Sequence, residues 1–378
     1  MGALLAPLDD IRVLDFTAHM AGPACSMLLA DFGADVVKIE PPAGDGARTW
    51  GTARFGEDGD LSGLFIALNR NKASVTLDLK ADEGQAAIRK LLRDADVVIE
   101  SFKPGVADRI GVGYADAAAL NPRVVYCSIS GFGQTGPLRE RPGFDQLLQA
   151  YVGHLSITGE PSRPSVRIGP SAIDLLTGAH AAYGIMVALR ERERSGTGQR
   201  LETSLYDSSL HLVTHVIADY TGSGRLPGKE GGGFAFLAPY GMFQGRDREF
   251  YLGVGSDSMF EKLSEAIGRA DLADDPRFAK NGDRVQNRDA LAAELEPVFA
   301  RRDAQHWVDL CLELGIPTSL VSDMSEVVAQ EQAAVREMIV DTGIDGVRTA
   351  GIPIKLERTP GAIRRPPPRL GADNDDIS

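Results

Sequence analysis

The stretch IRVLDFTAHMAGPACSMLLADFGADVVKIE, residues 11–40, decides the fold. Residues 11–16 form a short β-branched and apolar run, residues 22–32 are small and apolar over a helix-like length, and residues 35–40 form a second such run. Short apolar runs are typical of buried strands, and the longer segment between them is typical of a helix. The stretch therefore predicts a βαβ unit with two parallel strands.

The same alternation continues along the chain. Strand-like runs recur at residues 74–79, 96–100, 123–130 and 199–205, and helix-like segments at 82–94 and 174–193. Gly196 and Gly198 follow the long helix, where glycine commonly ends a helix. Apolar strands separated by helices indicate an α/β fold, whose parallel sheet is covered by helices on both faces.

A glycine-rich segment, TGSGRLPGKEGGG at residues 221–233, marks a domain boundary. Beyond it we predict a strand at 250–254 and helices at 258–267, 288–300 and 304–314, which form a smaller α+β domain. A further helix, an extended segment at 352–356 and a proline-rich tail follow residue 324. We therefore expect a large domain at 1–221, a small domain at 222–324, and a C-terminal segment at 325–378 that returns to the large domain.

Composition excludes several classes of protein. The 378 residues include 40 Lys plus Arg and 53 Asp plus Glu, a formal charge of −13, whereas non-specific nucleic-acid binding needs many cations. No apolar segment approaches the ~20 residues of a membrane helix, and the N-terminus has no basic, apolar leader pattern. Cys25, Cys127 and Cys311 are too widely spaced to suggest a disulfide framework. We expect a cytoplasmic protein with no nucleic-acid or membrane partner.

Two familiar motifs lack their usual context. GFGQTG at residues 131–136 matches a dinucleotide fingerprint, but Pro137 follows at once, so no helix N-terminus is predicted to hold a pyrophosphate. A flexible turn is therefore favoured over a nicotinamide site. His211 and His215 are four residues apart on a predicted helix, as zinc ligands can be, but no third ligand lies nearby in sequence. We predict no metal site.

Asp174 is the chemically most interesting carboxylate. It lies in RIGPSAIDLLTGAH, residues 167–180, at the start of the predicted long helix. There it could cap the unpaired N–H groups of the helix. It could instead attack an acyl carbon as a nucleophile, with Gly169 and Gly178 leaving room for a substrate. The residues alone leave both interpretations open.

Six segments together carry a family resemblance. They are RVLDFTAHMAGP (12–23), LLADFGADVVKIEPPAGD (28–45), NRNKASVTLDLK (69–80), ADVVIESFKPGVADRIGVGY (95–114), NPRVVYCSISGFGQTGP (121–137) and PGFDQLLQA (142–150). In number and order they resemble the class III CoA-transferases, the relatives of formyl-CoA transferase and carnitine CoA-transferase. The resemblance implies a discontinuous Rossmann-like large domain, formed by the N-terminal part and the C-terminal segment, and an interlocked homodimer.

The resemblance also implies a mechanism. Asp174 occupies the place of the family's catalytic aspartate, at the start of the helix that follows the GFDQ-like segment. Its carboxylate would attack an acyl-CoA to give a mixed anhydride and CoA thiolate, and the thiolate would then form an aspartyl-CoA thioester as the donor acid leaves. An acceptor carboxylic acid would repeat these steps in reverse. Coenzyme A is then a substrate, and no permanently bound cofactor is implied.

Further site residues follow from the matching segments, and the resemblance implies a role for each group. Met20 and Ala21 would line the CoA arm and the reacting centre, and Phe144 and Asp145 would border the thioester. The adenosine end and the phosphates of CoA would be contacted by Leu77, Asp78, Leu79, Lys80, Ser101, Phe102, Lys103 and Arg109, although Lys103 and Arg109 could also be solvated surface cations. Gly231, Gly232 and Gly233 resemble a loop that covers the active site in formyl-CoA transferase, although an interdomain linker would look the same.

Departures from the family pattern bear on the substrate. Ala18, Met20 and Ser101 replace polar residues common in relatives, which argues against a formyl or oxalyl group and favours a more apolar or larger acyl group. The same fold includes α-methylacyl-CoA racemases, which need a histidine where this chain has Phe144, and phenylalanine carries no proton. We therefore rank a transferase above a racemase. A non-catalytic CoA-binding protein and, last, a nicotinamide dehydrogenase remain as alternatives.

Overall fold

The computed structural model describes residues 6–377, and contacts within it divide the chain into two units. The first unit contains residues 6–154, 167–225 and 331–377; the second contains residues 155–166 and 226–330. The sequence analysis assigned residues 155–166 to the large domain. They pack in the second unit because Gly159 accepts a hydrogen bond from the Gly231 N–H at 3.0 Å and the Arg163 carbonyl accepts one from Lys229 at 2.8 Å.

The strands are β1 (Arg12–Phe16), β2 (Asp35–Glu40), β3 (Lys72–Thr76), β4 (Val97–Glu100), β5 (Val125–Ser130), β6 (Arg200–Ser204), β7 (Tyr240–Gln244), β8 (Glu249–Gly253), β9 (Thr318–Leu320), β10 (Ile339–Asp341) and β11 (Arg348–Ala350). The helices are α1 (Ala21–Asp31), α2 (Gly63–Leu68), α3 (Asp82–Arg93), α4 (Val106–Arg109), α5 (Tyr114–Leu120), α6 (Asp145–Tyr151), α7 (His154–Ile157), α8 (Ala172–Ser195), α9 (Leu205–Leu212), α10 (Thr214–Ser223), α11 (Asp257–Ala266), α12 (Asp271–Asp274), α13 (Asn281–Gln286), α14 (Arg288–Phe299), α15 (Ala304–Glu313), α16 (Met324–Val327) and α17 (Glu331–Val335). Short 3₁₀ turns occupy Gly46–Thr49 and Asn374–Ile377.

The first unit is built on a six-stranded parallel sheet in the order β3-β2-β1-β4-β5-β6. This strand order is the Rossmann order, so the α/β and Rossmann-like predictions are confirmed. The chain moves outward from β1 to β3 and then returns to the other side of β1 with β4. Loops that leave the carboxyl ends of β1 and β4 therefore diverge and open a crevice between them.

Neighbouring residues of the strands serve two separate cores. Val13 belongs to the core beneath α1 and α8, which also contains Cys25 and Ile185, whereas Leu14 belongs to the core beneath α3 and α5, which contains Ile88. Alternation along a strand sends successive side chains to opposite faces. Both faces of the sheet are therefore covered by helices, as the sequence predicts.

The second unit has an antiparallel sheet in the order β7-β8-β9. Its core contains Phe250, Phe299 and Trp307, and the Trp307 indole donates a hydrogen bond to the Phe299 carbonyl at 2.7 Å. The sequence analysis predicted β8 and the three longer helices but not β7 or β9. The segment predicted as extended at 352–356 forms no strand, while β10 and β11 form a short hairpin just before it.

Helix α8 is the one described helix that is long and apolar enough to cross a membrane by length and composition. Its residues Ala181, Ile185 and Leu189 are buried in the core that it shares with α1 and the sheet. A helix with one face packed in this way is a core helix of a folded domain. The length and apolar composition of α8 are therefore weak evidence for a membrane span.

Candidate active site

A cavity of about 160 Å³ lies where loops leave the carboxyl ends of β1, β4 and β5 and where α6 and α8 begin. Ligand pockets commonly hold about 300–1,000 Å³, so this one fits the reacting end of a substrate rather than a whole acyl-CoA. All of its walls belong to the first unit. They are formed by Ala18, His19, Met20, Ala21, Gly22, Trp50, Ser101, Ile129, Ser130, Gly131, Gly143, Phe144, Asp145, Gln146, Ser171, Asp174 and Leu205.

Buried charged side chains hold the loop between β1 and α1 in place. Asp15 accepts a hydrogen bond from the Thr17 N–H at 2.9 Å, and Lys38 donates to the Thr17 carbonyl at 2.7 Å. Lys38 also pairs with Asp45 at 2.9 Å, and Asp45 accepts the His19 N–H at 3.1 Å. These contacts fix His19 with φ 70°, a left-handed conformation unusual for a residue other than glycine.

Each of these buried charged side chains lies beside one of opposite charge, Lys38 beside Asp45 and Lys72 beside Asp15. Burial acts to raise the pKa of Asp15, but Lys72 and Lys38 outweigh it and lower that pKa to about 2. Burial lowers the pKa of Lys72 to about 8, against the opposing effect of Asp15. Lys72 also donates to Asn69 and to the Pro23 carbonyl at the start of α1. Because breaking a buried pair costs about 3–5 kcal/mol, this network fixes the loop firmly.

Asp174 lies in the first turn of α8. The preceding Ser171 makes no side-chain cap. Instead Asp145, the first residue of α6, accepts hydrogen bonds from the N–H groups of Ile173 at 2.8 Å and Asp174 at 3.2 Å. Asp145 is itself buried and is held by Gln149. The helix cap that the sequence analysis considered for Asp174 is therefore formed by Asp145, and the Asp174 carboxylate is left for another role.

The Asp174 carboxylate faces the cavity without a hydrogen-bond partner among residues 6–377. Burial, followed by repulsion from the Asp145 charge, raises its pKa from 3.8 to about 7. A carboxylate in this state is poorly solvated and more basic than usual, which favours attack on an electrophilic carbon. Perturbation of this kind is typical of functional sites.

Two close backbone approaches require glycine and shape the cavity. A Cβ at Gly178 would lie 2.6 Å from the Ala21 carbonyl oxygen, so glycine allows α8 to lie directly against α1. A Cβ at Gly131 would lie 3.0 Å from the Gly143 Cα, so glycine brings the end of β5 beside the segment that leads into α6. These contacts place Met20, Asp145 and Asp174 around one space.

The predicted site residues fall into three groups. Those that line the cavity are Met20, Ala21, Ser101, Phe144, Asp145 and Asp174. Those that follow β3 or β4 at the same edge of the sheet but do not line it are Leu77, Asp78, Leu79, Lys80, Phe102, Lys103 and Arg109. The third group, Gly231, Gly232 and Gly233, belongs to the second unit.

Apolar and cationic members of the middle group have different surroundings. Leu77, Leu79 and Phe102 pack against the core beneath α3 and α5. Lys80, Lys103 and Arg109 are exposed, and none has an acidic partner within the part of the chain that the structure describes. These three cations are free to meet an anionic ligand beside the cavity.

Of the glycine-rich segment, Gly231, Gly232 and Gly233 are packed against neighbouring residues, whereas Gly222, Gly224 and Gly228 lie in open space. A Cβ at Gly232 would lie 2.4 Å from the Met242 Cγ, and Gly231 has φ 59° next to Glu160. Glu230 forms an ion pair with Arg288. Residues 230–233 are therefore ordered within the second unit, whereas residues 221–225 lie at the end of α10 and belong to the first unit. The role of Gly231, Gly232 and Gly233 as an active-site cover stays a prediction.

His19 and Trp50 line the cavity but are not among the site residues predicted from the sequence. Their rings stack with centroids 4.6 Å apart at 18°, and His19 meets Phe144 edge-on at 6.2 Å. Both residues lie within the segments used for the family resemblance or just after them, but nothing in the local pattern shows that a loop at φ 70° turns the histidine into the cavity. Trp50, at 42% exposure, forms the outer wall.

Two other sequence interpretations can be compared with the structure. Residues 131–136 form turns after β5, and the next helix, α6, begins at Asp145. The predicted helix through His211 and His215 breaks at Val213, so these residues lie on α9 and α10. His211 instead stacks on His180 of α8, with centroids 5.0 Å apart. Within residues 6–377 no cluster of three or more His, Cys, Asp or Glu side chains is placed to hold a metal ion.

The fold and the cavity define an α/β protein with a small-molecule site at the switch point of a parallel sheet. Residues 8–374 match the family model described as CoA-transferase family III. The acetyl-CoA:oxalate CoA-transferase of Acetobacter aceti is 38% identical over 362 residues, covering 95% of this chain and 92% of that protein. The succinyl-CoA–D-citramalate CoA-transferase of Chloroflexus aurantiacus is 36% identical, covering 98% and 93%.

A solved structure agrees with these relatives. The crystal structure of a CAIB/BAIF family protein from Brucella suis superposes with a TM-score of 0.91 at 36% identity, covering 99% of both chains. The chain belongs to CoA-transferase family III. The family predicted from the motifs at residues 12–150 is confirmed.

Proposed function

We propose that the protein transfers CoA from an acyl-CoA to a carboxylic acid with Asp174 as the covalent nucleophile. The observation that carries the proposal is the state of this carboxylate: it lies on the cavity wall, has no hydrogen-bond partner among the described residues, and has a pKa raised to about 7 by burial and by Asp145. A carboxylate used only for structure would be expected to have such partners.

The reaction balances without a further co-reactant. An Asp174 oxygen attacks the thioester carbonyl, the C–S bond breaks, and an anhydride and CoA thiolate result. The thiolate attacks the aspartyl carbonyl of the anhydride, which gives aspartyl-CoA and releases the donor carboxylate. The acceptor carboxylate then attacks the aspartyl-CoA carbonyl, and the C–S bond breaks to give a second anhydride and CoA thiolate. The thiolate attacks the acceptor's acyl carbonyl in this anhydride, which forms the new acyl-CoA and releases the Asp174 carboxylate. Water must be kept out while the anhydride exists.

The arrangement of cations supports CoA binding at the same edge of the sheet. Lys80, Lys103 and Arg109 are exposed and have no acidic partner among the described residues, although the chain carries a net negative charge. Phosphates bind well to such groups, and arginine can contact two oxygens at once. We assign the CoA phosphates to these residues, with the pantetheine arm running over Met20 and Ala21 toward Asp174.

A homodimer is part of the proposal. Helix α10 buries none of its residues in the described chain, and it exposes Ile217 and Tyr220. Helix α8 exposes Tyr183 at 73% and Val187 at 51%. An apolar surface of this kind supports an interface between two copies; their interlocking follows from the family resemblance alone. Light scattering on the purified protein tests the dimer, and a monomer would contradict it.

The acceptor is proposed to be a small carboxylic acid, and diacids are the first choice. The names of the two transferases described above each include a diacid, oxalate in one and D-citramalate in the other. The sequence argument against an oxalyl group stays a prediction, so oxalate belongs in the substrate panel. We place the activity in the cytoplasm, with no metal, nucleic-acid or membrane partner.

Racemisation of an acyl-CoA is the second candidate. Phe144 carries no proton, but the structure adds His19, so the cavity contains both an imidazole and a carboxylate. Two such groups on opposite faces of an α-carbon could exchange its proton. Incubation of a 2-methylacyl-CoA in deuterium oxide tests this, since racemisation introduces deuterium at the α-carbon.

The deciding experiment combines donors and acceptors. Acetyl-CoA or succinyl-CoA is incubated with oxalate, succinate, glutarate or butyrate, and new acyl-CoA products are separated by chromatography. The proposal expects a new acyl-CoA in at least one pair, lost in Asp174→Ala with unchanged folding. CoA binding without any transfer would indicate the non-catalytic alternative, and deuterium exchange without transfer would indicate the racemase.

A further inference from the structure

The cavity contains one side chain that can carry positive charge, His19. The other ionisable side chains on its walls are the carboxylates Asp145 and Asp174, and no Lys or Arg is among the described lining residues. Any anionic group that enters beside Asp174 therefore has a single candidate for a charged partner. Asp145 is already engaged by two N–H groups and by Gln149.

The imidazole is fixed but not satisfied. Its ring is held between Trp50 and Phe144, and its main-chain N–H is bound by Asp45. Neither ring nitrogen has a hydrogen-bond partner in residues 6–377, and Nδ1 is buried. A buried polar atom without a partner is costly, so such atoms in native proteins call for a specific explanation. Because Nδ1 is buried, Nε2 is the ring nitrogen that an acceptor on a ligand in the cavity can reach.

The local backbone also favours a ligand-binding role. At φ 70° a histidine is strained, and the strain is maintained by the buried pair of Lys38 with Asp45. Glycine would relieve it without any further change, since backbone conformations of this kind suit residues without a Cβ. The ring held there instead forms a wall of the cavity together with Asp174.

We propose that His19 binds the second carboxylate of a dicarboxylic substrate while the first reacts at Asp174. His19 then makes the enzyme prefer diacids to monoacids of the same chain length. This inference rests on the proposed function, because it needs CoA transfer at Asp174. It assigns the choice of acceptor to a residue that the motif argument did not include.

The test compares succinate with butyrate, which have equal chain length and differ by one carboxylate. Each is used as the acceptor with acetyl-CoA as the donor, since succinyl-CoA and succinate would exchange without forming a new product, and kcat and KM are measured separately. A charge-assisted hydrogen bond predicts that wild type prefers succinate by about 10- to 100-fold in kcat/KM. The preference should lie mainly in the acceptor KM.

Two substitutions separate the side chain from the backbone. His19→Gly fits the left-handed conformation and removes the ring, and His19→Asn tolerates that conformation and retains a hydrogen-bond donor. His19→Gly should lose the succinate preference, His19→Asn should keep part of it, and butyrate should be affected far less than succinate in both. His306→Asn, an exposed histidine on α15, is the matched control and should keep the wild-type ratio.

The outcomes distinguish the two claims. Transfer to butyrate as efficient as transfer to succinate in wild type, or an unchanged ratio in a folded His19→Gly variant, would overturn the role of His19 and leave the transferase intact. No transfer to any acceptor would overturn both. A fall for both acids to the same extent would show a purely structural role for His19 and would also overturn the inference.

Discussion

Replacing Asp174 with asparagine should stabilise the protein at pH 8 while abolishing transfer. The side chain keeps its size but loses a charge that burial and Asp145 disfavour. The pKa of Asp174 is raised from 3.8 to about 7, and each pKa unit corresponds to about 1.4 kcal/mol. Ionised Asp174 therefore destabilises the folded state by at most about 4 kcal/mol, and by about 2 kcal/mol if solvent in the cavity screens half of the effect.

The pH dependence gives this prediction its sign. Between about pH 4 and pH 7 the folded protein retains a proton on Asp174 that the unfolded chain has lost, so stability falls as pH rises through this window. The destabilisation is complete above pH 7 and absent below pH 4. The advantage of Asp174→Asn should therefore grow from near zero at pH 4 to its full value at pH 8, a difference in Tm of roughly 3–5 °C for a chain of 378 residues.

Thermal unfolding of both proteins at pH 4, 5, 6, 7 and 8, at equal protein concentration, measures the effect. Asp10→Asn removes an exposed charge outside the cavity and serves as control. An advantage of Asp174→Asn that does not change with pH would refute the electrostatic reasoning. So would a variant that becomes less stable than wild type as pH rises.

Three other predictions follow from the same geometry. Because the ionised carboxylate of Asp174 reacts, kcat/KM should rise about tenfold per pH unit below pH 7 and level off above it. Asp145→Asn should move the midpoint of this profile to lower pH, because it removes a charge that raises the pKa of Asp174. A flat profile between pH 5.5 and 7.5 would contradict this. Gly178→Ala places a Cβ 2.6 Å from the Ala21 carbonyl oxygen, so it should lower the free energy of unfolding by about 1–3 kcal/mol and lower kcat. Gly282→Ala, with open space around the new Cβ, should change neither. Arg109→Ala and Lys103→Ala should each raise the KM for acyl-CoA about tenfold with little change in kcat. Arg194→Ala, at the far end of α8, serves as the control and should leave this KM unchanged. Equal effects of all three substitutions would argue against a phosphate site.

The parallel sheet could be predicted because its strands are apolar runs separated by helices, a pattern that needs no knowledge of distant contacts. The exception is β3. The sequence predicts it at 74–79, but it spans Lys72–Thr76, because the buried Lys72 looks like a surface residue in sequence. Its partner Asp15 lies on β1, and only the folded sheet brings the two charges within 3.2 Å.

Asp174 illustrates the limit for the site. Its sequence neighbourhood is that of a helix start, which is compatible with a cap as well as with a nucleophile and on its own favours the cap. The structure distinguishes the two roles, because Asp145 on α6 accepts the hydrogen bonds from the helix N–H groups that a capping Asp174 would accept. His19 could not be found at all, since its role depends on a backbone conformation imposed by Asp45 and Lys38.

The most direct test of the account is intact-protein mass spectrometry after incubation with acyl-CoA and trapping with hydroxylamine or borohydride. We expect a modification that maps to Asp174, that is absent in Asp174→Ala, and that forms with a donor that also supports transfer. Efficient transfer with no trapped adduct at Asp174, or ordinary transfer by Asp174→Ala, would contradict it.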